Sequence, residues 1–297
     1  MKTVGMVGLG NMGMGMARNL LGKGFAVRGF ARRKEVRDAF TAAGGTAVDC
    51  AADVGCGADV VFLMVMDAGQ VFEVCDSGLL DALKPGAIVV MTATIGRGAV
   101  MQLVPQLKAR QVGLIDAPVS GGKGGADSGT LTLMAAAPMA LLNEADDVLR
   151  AIGSNIIHVG DEPGQGQVVK ACLQALIGVS FQGLFEAMVL GSKAGVDAEV
   201  LSSVINSSFV GSKLTASTTA HIVARRFRNT GSHIGTMHKD VGISLDMARE
   251  LGVTMPVAGA AMQMFQAGKS AIPDGDNWCV VELLEMLAGM NGEGVPK

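Results

Sequence analysis

The hydrophobic pattern changes character once along the chain. In the first half, short apolar runs bounded by glycine alternate with longer stretches of helical spacing. The runs at 3–8 (TVGMVG), 25–30, 60–65 (VVFLMV), 88–91 and 113–117 read as strands, with helical patterns such as 14–21 and 100–110 between them. Most of these runs are continuously apolar rather than alternating, which suits strands covered on both faces. Their alternation with helices predicts an α/β fold with a doubly wound, mostly parallel sheet. Two further strand-like runs, 130–135 and 156–159, flank a helical stretch at 139–152. Beyond Asp161-Glu162-Pro163-Gly164 only helical spacing remains, at 198–206, 215–226, 241–251 and 257–268, so an all-α second domain is expected. The division predicted is 1–162 and 163–297.

The two halves are joined by 164–191, GQGQVVKACLQALIGVSFQGLFEAMVLG. It holds no proline and two charges, Lys170 and Glu186. A helix apolar on nearly every side is buried, in a protein or in a membrane. The stretch is long enough to cross a bilayer. Lys170, Gln174, Gln182 and Glu186 along it predict instead a buried interdomain helix and no membrane span. Lys170 and Gln174 stand at i and i+4, so they share a face about 6 Å apart along the axis. A buried lysine is costly without a partner or a task, and burial lowers its pKa from about 10.4 towards a range useful for proton transfer. Lys170 is therefore a candidate catalytic group; the bland alternative is a lysine snorkelling to water. For Gln174 the bland alternative is an interhelix or capping hydrogen bond.

Gly8-Leu9-Gly10-Asn11-Met12-Gly13 follows the first strand and opens a helix. In a Gly-x-Gly-x-x-Gly turn the first glycine permits the tight turn and the second lets the backbone approach a pyrophosphate. The third allows close helix–strand packing, and the helix N-terminus faces the anion. The first domain is accordingly expected to be a dinucleotide-binding Rossmann domain. A carboxylate about 20 residues past the glycines would accept from the ribose of NAD. Here the second strand ends Phe30-Ala31-Arg32-Arg33-Lys34, without one. Arg32 and Arg33 beside the neutral Ala31 suit a 2′-phosphate and favour NADP, with NAD open. Ligands in such sheets bind beyond the carboxyl ends of the strands, so Val65, Met66, Thr94 and 116–122 belong near one crevice. There, Ser120, Gly121 and Gly122 offer a hydroxyl and closely spaced amides suited to a carboxylate; a plain flexible loop is the alternative.

Composition narrows the classes. The chain of 297 residues is 49% hydrophobic and 17% charged, with a net charge of −3, so it is globular, and neither nucleic acid nor an anionic membrane is an expected partner. Five scattered cysteines include no Cys-x-x-Cys, and four histidines include no His-Glu-x-x-His. Free thiols, a reducing cytoplasmic setting and no metal are expected. Lys2 leads directly into the first strand, and no secretory leader is expected. Met12, Met14 and Met16 read as core packing, and Arg225-Arg226-Phe227-Arg228 as a solvated helix end. Trp278, the only tryptophan, reads as a pocket-lining residue or as surface or interface packing.

Four stretches in order resemble the β-hydroxyacid dehydrogenases, the family of 3-hydroxyisobutyrate dehydrogenase. They are the Gly8–Gly13 turn, Asp116-Ala117-Pro118-Val119-Ser120-Gly121-Gly122 with Gly129-Thr130-Leu131-Thr132, Gly164-Gln165-Gly166 leading to Lys170, and Lys239-Asp240. The resemblance covers essentially the whole chain. It implies a Rossmann domain, a long interdomain helix and a helical domain that mediates homo-oligomerisation, as a dimer or tetramer. It implies Lys170 as the catalytic lysine and Ser120, Gly121 and Gly122 as the substrate-carboxylate loop. Thr94 is implied as a cofactor contact and Lys239 as a lysine on the cofactor side. The family usually carries Asn where this chain has Gln174; the threonate dehydrogenase branch is similar to it there, which suggests a four-carbon sugar acid among small carboxylate substrates. The resemblance implies hydride transfer between NAD(P) and a β-hydroxy acid. A non-catalytic NAD(P)-binding sensor and an imine reductase on a similar scaffold are the rival readings.

Overall fold

A computed structural model describes residues 2–290. The chain forms two compact units, one through Lys170 and one from Ala171.

The first unit is built on a nine-stranded sheet: β1 (Thr3–Val7), β2 (Ala26–Phe30), β3 (Thr46–Ala47), β4 (Val60–Leu63), β5 (Ile88–Met91), β6 (Gly113–Asp116), β7 (Val119–Ser120), β8 (Leu131–Ala136) and β9 (Gly153–Gly160). The order β3-β2-β1-β4-β5-β6 is parallel throughout and is the doubly wound topology expected. β8 then joins β6 antiparallel through Asp116 and Ala136, pairs β7 antiparallel, and carries β9 parallel on its other side.

Why the central strands read as continuous apolar runs is visible in where their side chains go. Successive residues point to opposite faces. Val60 and Phe62 of β4, Ile88 and Val90 of β5 and Ile115 of β6 enter one core. Val61, Leu63, Val89, Met91 and Leu114 enter a second core on the opposite face. Helices Gly13–Gly22 and Met139–Ile152 close the first face, with Met16 and Leu20 fully buried. Met12 and Met14 pack at its margin, so the methionine stretch is core, as expected. Helices Ala51–Gly55, Ala68–Val74 and Arg97–Ala109 close the second face. Each fully buried Leu, Ile or Phe contributes about 1.5–3 kcal/mol, so a polar residue at Leu20 would open the first core.

The register places five strand ends in one row: Phe30 beside Val7, Val7 beside Leu63, Leu63 beside Met91, and Met91 beside Asp116. Every loop that the sequence marks for chemistry in this unit leaves from that carboxyl edge.

The long helix spans Gln165–Lys193. By length and composition it could cross a bilayer, yet half of its most apolar window is buried within the protein. Its later part belongs to the second unit, with helices Ala198–Ser207, Lys213–Val223, Ile234–Leu251, Pro256–Ala271 and Val280–Leu287. Phe181, Phe185, Met188, Val241, Phe265 and Trp278 sit in this unit's core. Gly178 lets helix Ile234–Leu251 approach closely: a Cβ there would lie 2.8 Å from Val241 Cγ2.

Two sequence expectations change here. The 225–228 stretch lies beyond the helix and is solvated only at Arg226 and Arg228. The helix stops at Val223, and Arg225 makes a two-pronged bond to the buried Glu285 at 2.8 and 2.7 Å while Phe227 is buried. A bidentate guanidinium–carboxylate pair satisfies the buried charge that an isolated Glu285 would otherwise strand. Trp278 is core, with its indole stacked on His221 at 3.8 Å between centroids.

Candidate active site

The glycine turn has the geometry its spacing predicts. Gly8 adopts φ +96°, and its amide donates to Phe30 O at 3.0 Å, tying the turn to the end of β2. A Cβ at Gly13 would sit 1.8 Å from Gly8 O, so only glycine lets the helix start against the turn. Gly10 differs: nothing lies within 4 Å of the Cβ position there. No side chain caps helix Gly13–Gly22, and its first turn holds no acidic residue. A bare helix N-terminus beside open space at a glycine is what a pyrophosphate requires, so these residues fit a dinucleotide. Leu9 is buried, while Asn11 lies exposed and Met12 half-buried on the turn.

At the end of β2, Ala31 is half-buried and Arg32 and Arg33 are exposed. Arg33 makes a long pairing, 3.7 Å, with the exposed Glu35, a weak tie for a guanidinium. Arg37 Nη1 donates to Ala31 O at 2.8 Å and Arg32 O at 3.0 Å, holding this segment from one helical turn away. The sequence reading did not single out Arg37. An arginine early in the helix that follows the basic tip is the signal that marks it.

After β4, Val65 is half-buried and Met66 half-exposed. Asp67 caps the next helix by accepting from Gln70 N at 2.9 Å, and Gln70 Oε1 accepts from Met66 N at 3.2 Å, a reciprocal cap that fixes the Met66 backbone.

Thr94, after β5, lies between residues held by one side chain. Gln167 Oε1 accepts from Ile95 N at 2.9 Å and Gly96 N at 3.0 Å, while its Nε2 donates to Ala93 O at 3.1 Å. The same Nε2 donates to Asp116 Oδ1 at 2.8 Å. Asp116, with no exposed surface, also accepts on Oδ2 from Gly164 N at 2.8 Å and Gln167 N at 3.1 Å. Burial pushes the Asp116 carboxyl above its ordinary range, while the Gln167 amide and the backbone donors act in the opposite sense. The sequence reading placed Asp116 near the crevice without a role and did not single out Gln167. Their signal was a buried-type carboxylate at a strand end and a glutamine inside an apolar helix start.

The stretch from Val119 to Ser128 is more ordered than a flexible loop. Val119 and Ser120 form β7, paired with Leu133 and Thr132, and a short helix, Gly122–Ser128, follows. Gly121 joins them at φ +134°, which a side chain would strain. Gly122 has open space at its Cβ position. Lys170, 7% exposed, donates Nζ to Val119 O at 2.9 Å. The amine is thus held on the carbonyl immediately before Ser120.

Gln174 and Lys239 belong to the second unit. Gln174, 7% exposed, donates Nε2 to Asp240 Oδ2 at 2.6 Å. Lys239 Nζ lies 2.8 Å from Asp240 Oδ1. One buried carboxylate therefore serves both residues, and the Ser244 hydroxyl is shared between the carbonyls of Ala171 and Asp240 on the same helix pair, at 2.8 and 3.0 Å. Among the described residues no group of three or more His, Cys, Asp or Glu is placed to hold a metal.

Two family models match in series. The NAD binding domain of 6-phosphogluconate dehydrogenase covers residues 3–160. The NAD-binding domain of NADP-dependent 3-hydroxyisobutyrate dehydrogenase covers residues 164–284. The chain is 35% identical over 278 residues to an L-threonate dehydrogenase of Cupriavidus necator, covering 93% of each protein. It is 34% identical over 275 residues to an NAD-dependent L-serine dehydrogenase of Pseudomonas aeruginosa, covering 90% of this chain and 92% of that one. A solved 3-hydroxyisobutyrate dehydrogenase structure from Salmonella typhimurium is similar with a TM-score of 0.89 and 31% identity, over 95% of this chain and all of that one.

Proposed function

The chain belongs to the β-hydroxyacid dehydrogenase family, and from that premise we propose that it is an NAD(P)-dependent oxidoreductase of small β-hydroxy acids with Lys170 as general acid/base. The observation that carries the assignment is the buried Lys170 amine held on Val119 O, one residue before Ser120.

The nicotinamide, when bound, accepts or returns the hydride at C4. Lys170 takes the proton of the substrate hydroxyl as its carbon loses the hydride, leaving the carbonyl, and gives the proton back in the reverse direction. Such positioned acid–base help contributes roughly 10²–10⁴-fold. The Val119 carbonyl accepts from the ammonium and restricts where it can point. Ser120 with the Gly121 and Gly122 amides anchors the substrate carboxylate, and Gln174 orients the reacting hydroxyl. Gly8 to Gly13, Val65, Met66, Thr94 and Lys239 attend the cofactor. Residues 1–162 are the dinucleotide domain and 163–297 the substrate and oligomerisation domain.

NADP is the preferred cofactor in this reading, supported by Arg32 and Arg33 where an NAD site would carry a carboxylate. The substrate is a four-carbon sugar acid such as threonate, supported by Gln174 and by the likeness to L-threonate dehydrogenase. The protein works in the cytoplasm as a homo-oligomer. Supporting the oligomer, helix Ala198–Ser207 has no buried residue, and its Val200 and Val204, with Phe209 and Val210 just after it, are more than half exposed. The test is a reduction screen of NADP and NAD against C3–C5 hydroxy acids including threonate, glycerate, 3-hydroxyisobutyrate and 4-hydroxybutyrate, with cyclic imines alongside. Cofactor binding without turnover of any acid, or turnover of imines alone, overturns the assignment.

A further inference from the structure

The Gln167 side chain uses every hydrogen-bonding valence it has. Its oxygen takes two consecutive amides, Ile95 and Gly96, and its nitrogen gives one proton to Ala93 O and the other to Asp116. Asp116 in turn grips the start of the long helix through the Gly164 and Gln167 amides. Gly164 O accepts the first helical bond, from Val168 N at 3.1 Å, so Gly164 stands at the cap position. Having no side chain, it leaves that cap to Asp116, 48 residues earlier in the chain. An anion at a helix N-terminus is also favoured by the helix dipole. These bonds tie three things into one rigid body: the segment carrying Thr94, the end of β6, and the helix turn that precedes Lys170.

We propose that Gln167 and Asp116 are a positioning pair, which sets the distance between the Lys170 amine and the Thr94 segment by locking the helix start to the carboxyl edge of the sheet. This rests on the assignment of Lys170 as acid/base. Both members are buried, Asp116 at 0% and Gln167 at 1% exposure, with their side-chain bonds made to protein groups. Helix capping alone would need Asp116 but not Gln167. A fold-stabilising amide alone would not need to bracket Thr94 on both sides. A small error in such a distance is costly, because hydride and proton transfer both demand near-attack geometry.

The pair's polarity supplies a test that bulk destabilisation does not imitate. In Gln167→Glu the oxygen facing Ile95 and Gly96 is kept, but a second oxygen replaces the donor to both Asp116 and Ala93 O. Two buried carboxylates then face each other and share one proton, which they lose as pH rises. The expected result is a kcat lowered roughly 10–100-fold, with cofactor affinity within about threefold and a deficit relative to the parent that grows as pH rises. In the double variant Gln167→Glu with Asp116→Asn, the amide introduced at position 116 donates to the carboxylate introduced at position 167. Its oxygen still accepts from the main-chain amides of positions 164 and 167, so the share of the kcat loss that comes from the facing carboxylates returns, and with it the parental pH dependence, while the bond to Ala93 O stays lost. Thr92→Val removes the neighbouring buried bond from Thr92 Oγ1 to Leu63 O at 2.9 Å and serves as the destabilised control, with lowered Tm and unchanged pH profile. Folding is read by thermal melting throughout.

A folded Gln167→Glu with parental kcat overturns the proposal, as does a deficit that neither varies with pH nor recovers in the double variant. If the single variant does not fold, the double variant decides by whether it turns over. If neither folds while Thr92→Val does, the pair is a folding element and the positioning role is lost. Lys170→Ala separates the two layers: retained turnover there removes the acid/base assignment itself, whereas an inactive Lys170→Ala beside an unaffected Gln167→Glu removes only the positioning pair.

Discussion

The Gln174 amide nitrogen donates to the Asp240 carboxylate at 2.6 Å, both residues buried. The bond fixes which end of the amide is committed. Nε2 spends an N–H on Asp240, and in the proposed reading the carbonyl oxygen accepts the hydrogen bond of the substrate hydroxyl. Shortening the side chain by one methylene in Gln174→Asn moves the amide away from Asp240. The expected outcome is a roughly tenfold loss of kcat/KM together with a change in rank among hydroxy acids of different length, read from the same substrate panel.

Lys170→Ala is expected to lower kcat by roughly 10²–10⁴-fold while the cofactor binds with near-parental affinity, measured by equilibrium fluorescence titration and steady-state kinetics. Equal losses in both would count against the proton-transfer role.

Gly10 and Gly13 separate cofactor binding from folding. Gly10→Ala meets open space, so the variant is expected to melt with the parent yet bind cofactor at least tenfold more weakly, a loss of about 1.4 kcal/mol. Gly13→Ala drives a methyl into Gly8 O and is expected to lower Tm sharply. Parental cofactor affinity in Gly10→Ala would place the pyrophosphate elsewhere.

Arg32→Ala with Arg33→Ala is expected to raise the Kd for NADP by tenfold or more and leave NAD within about twofold, because charge-assisted bonds of roughly 1.5–3 kcal/mol are lost for the phosphate alone. Binding of NADP should also weaken with salt more steeply in the parent than in the variant.

Lys84 beside Asp59, with the Thr3 amide, holds the Asp59 carboxyl below its ordinary value of 3.8. A depressed folded pKa stabilises above the unfolded value, and the stabilisation is lost as pH falls through the folded one. Asp59→Asn is expected to cost at most about 1 kcal/mol at neutral pH, since the pair is exposed. The difference from the parent should vanish under acid, as measured by denaturant unfolding across a pH series.

How far the sequence reading reached follows from the physics of each element. The strands at 60–63, 88–91 and 113–116 were legible because both faces are buried, which leaves a continuous apolar run. The glycine turn and the long helix were legible because their signals are local. β7 was not, since two residues carry no period, and its pairing with β8 is made across the helix Gly122–Ser128 that separates them. Helix Val280–Leu287 was missed because its apolar run is short and its buried Glu285 reads as a surface charge until Arg225 is brought to it. In the same way the partners of Gln174 and Gln167 lie 66 and 51 residues away along the chain. The candidate side chains can be picked out in the sequence, but the polar residues they pair with are defined by tertiary contacts.

One consequence of the remote cap on the long helix concerns order of assembly. The acid that secures the helix start is contributed by a strand, so the first turn has its anchor only once β6 has joined its neighbours. A nascent or partly melted chain can keep helical backbone, but its lysine has nothing to hold it at the sheet's rim. Heat inactivation is therefore expected to precede loss of circular dichroism.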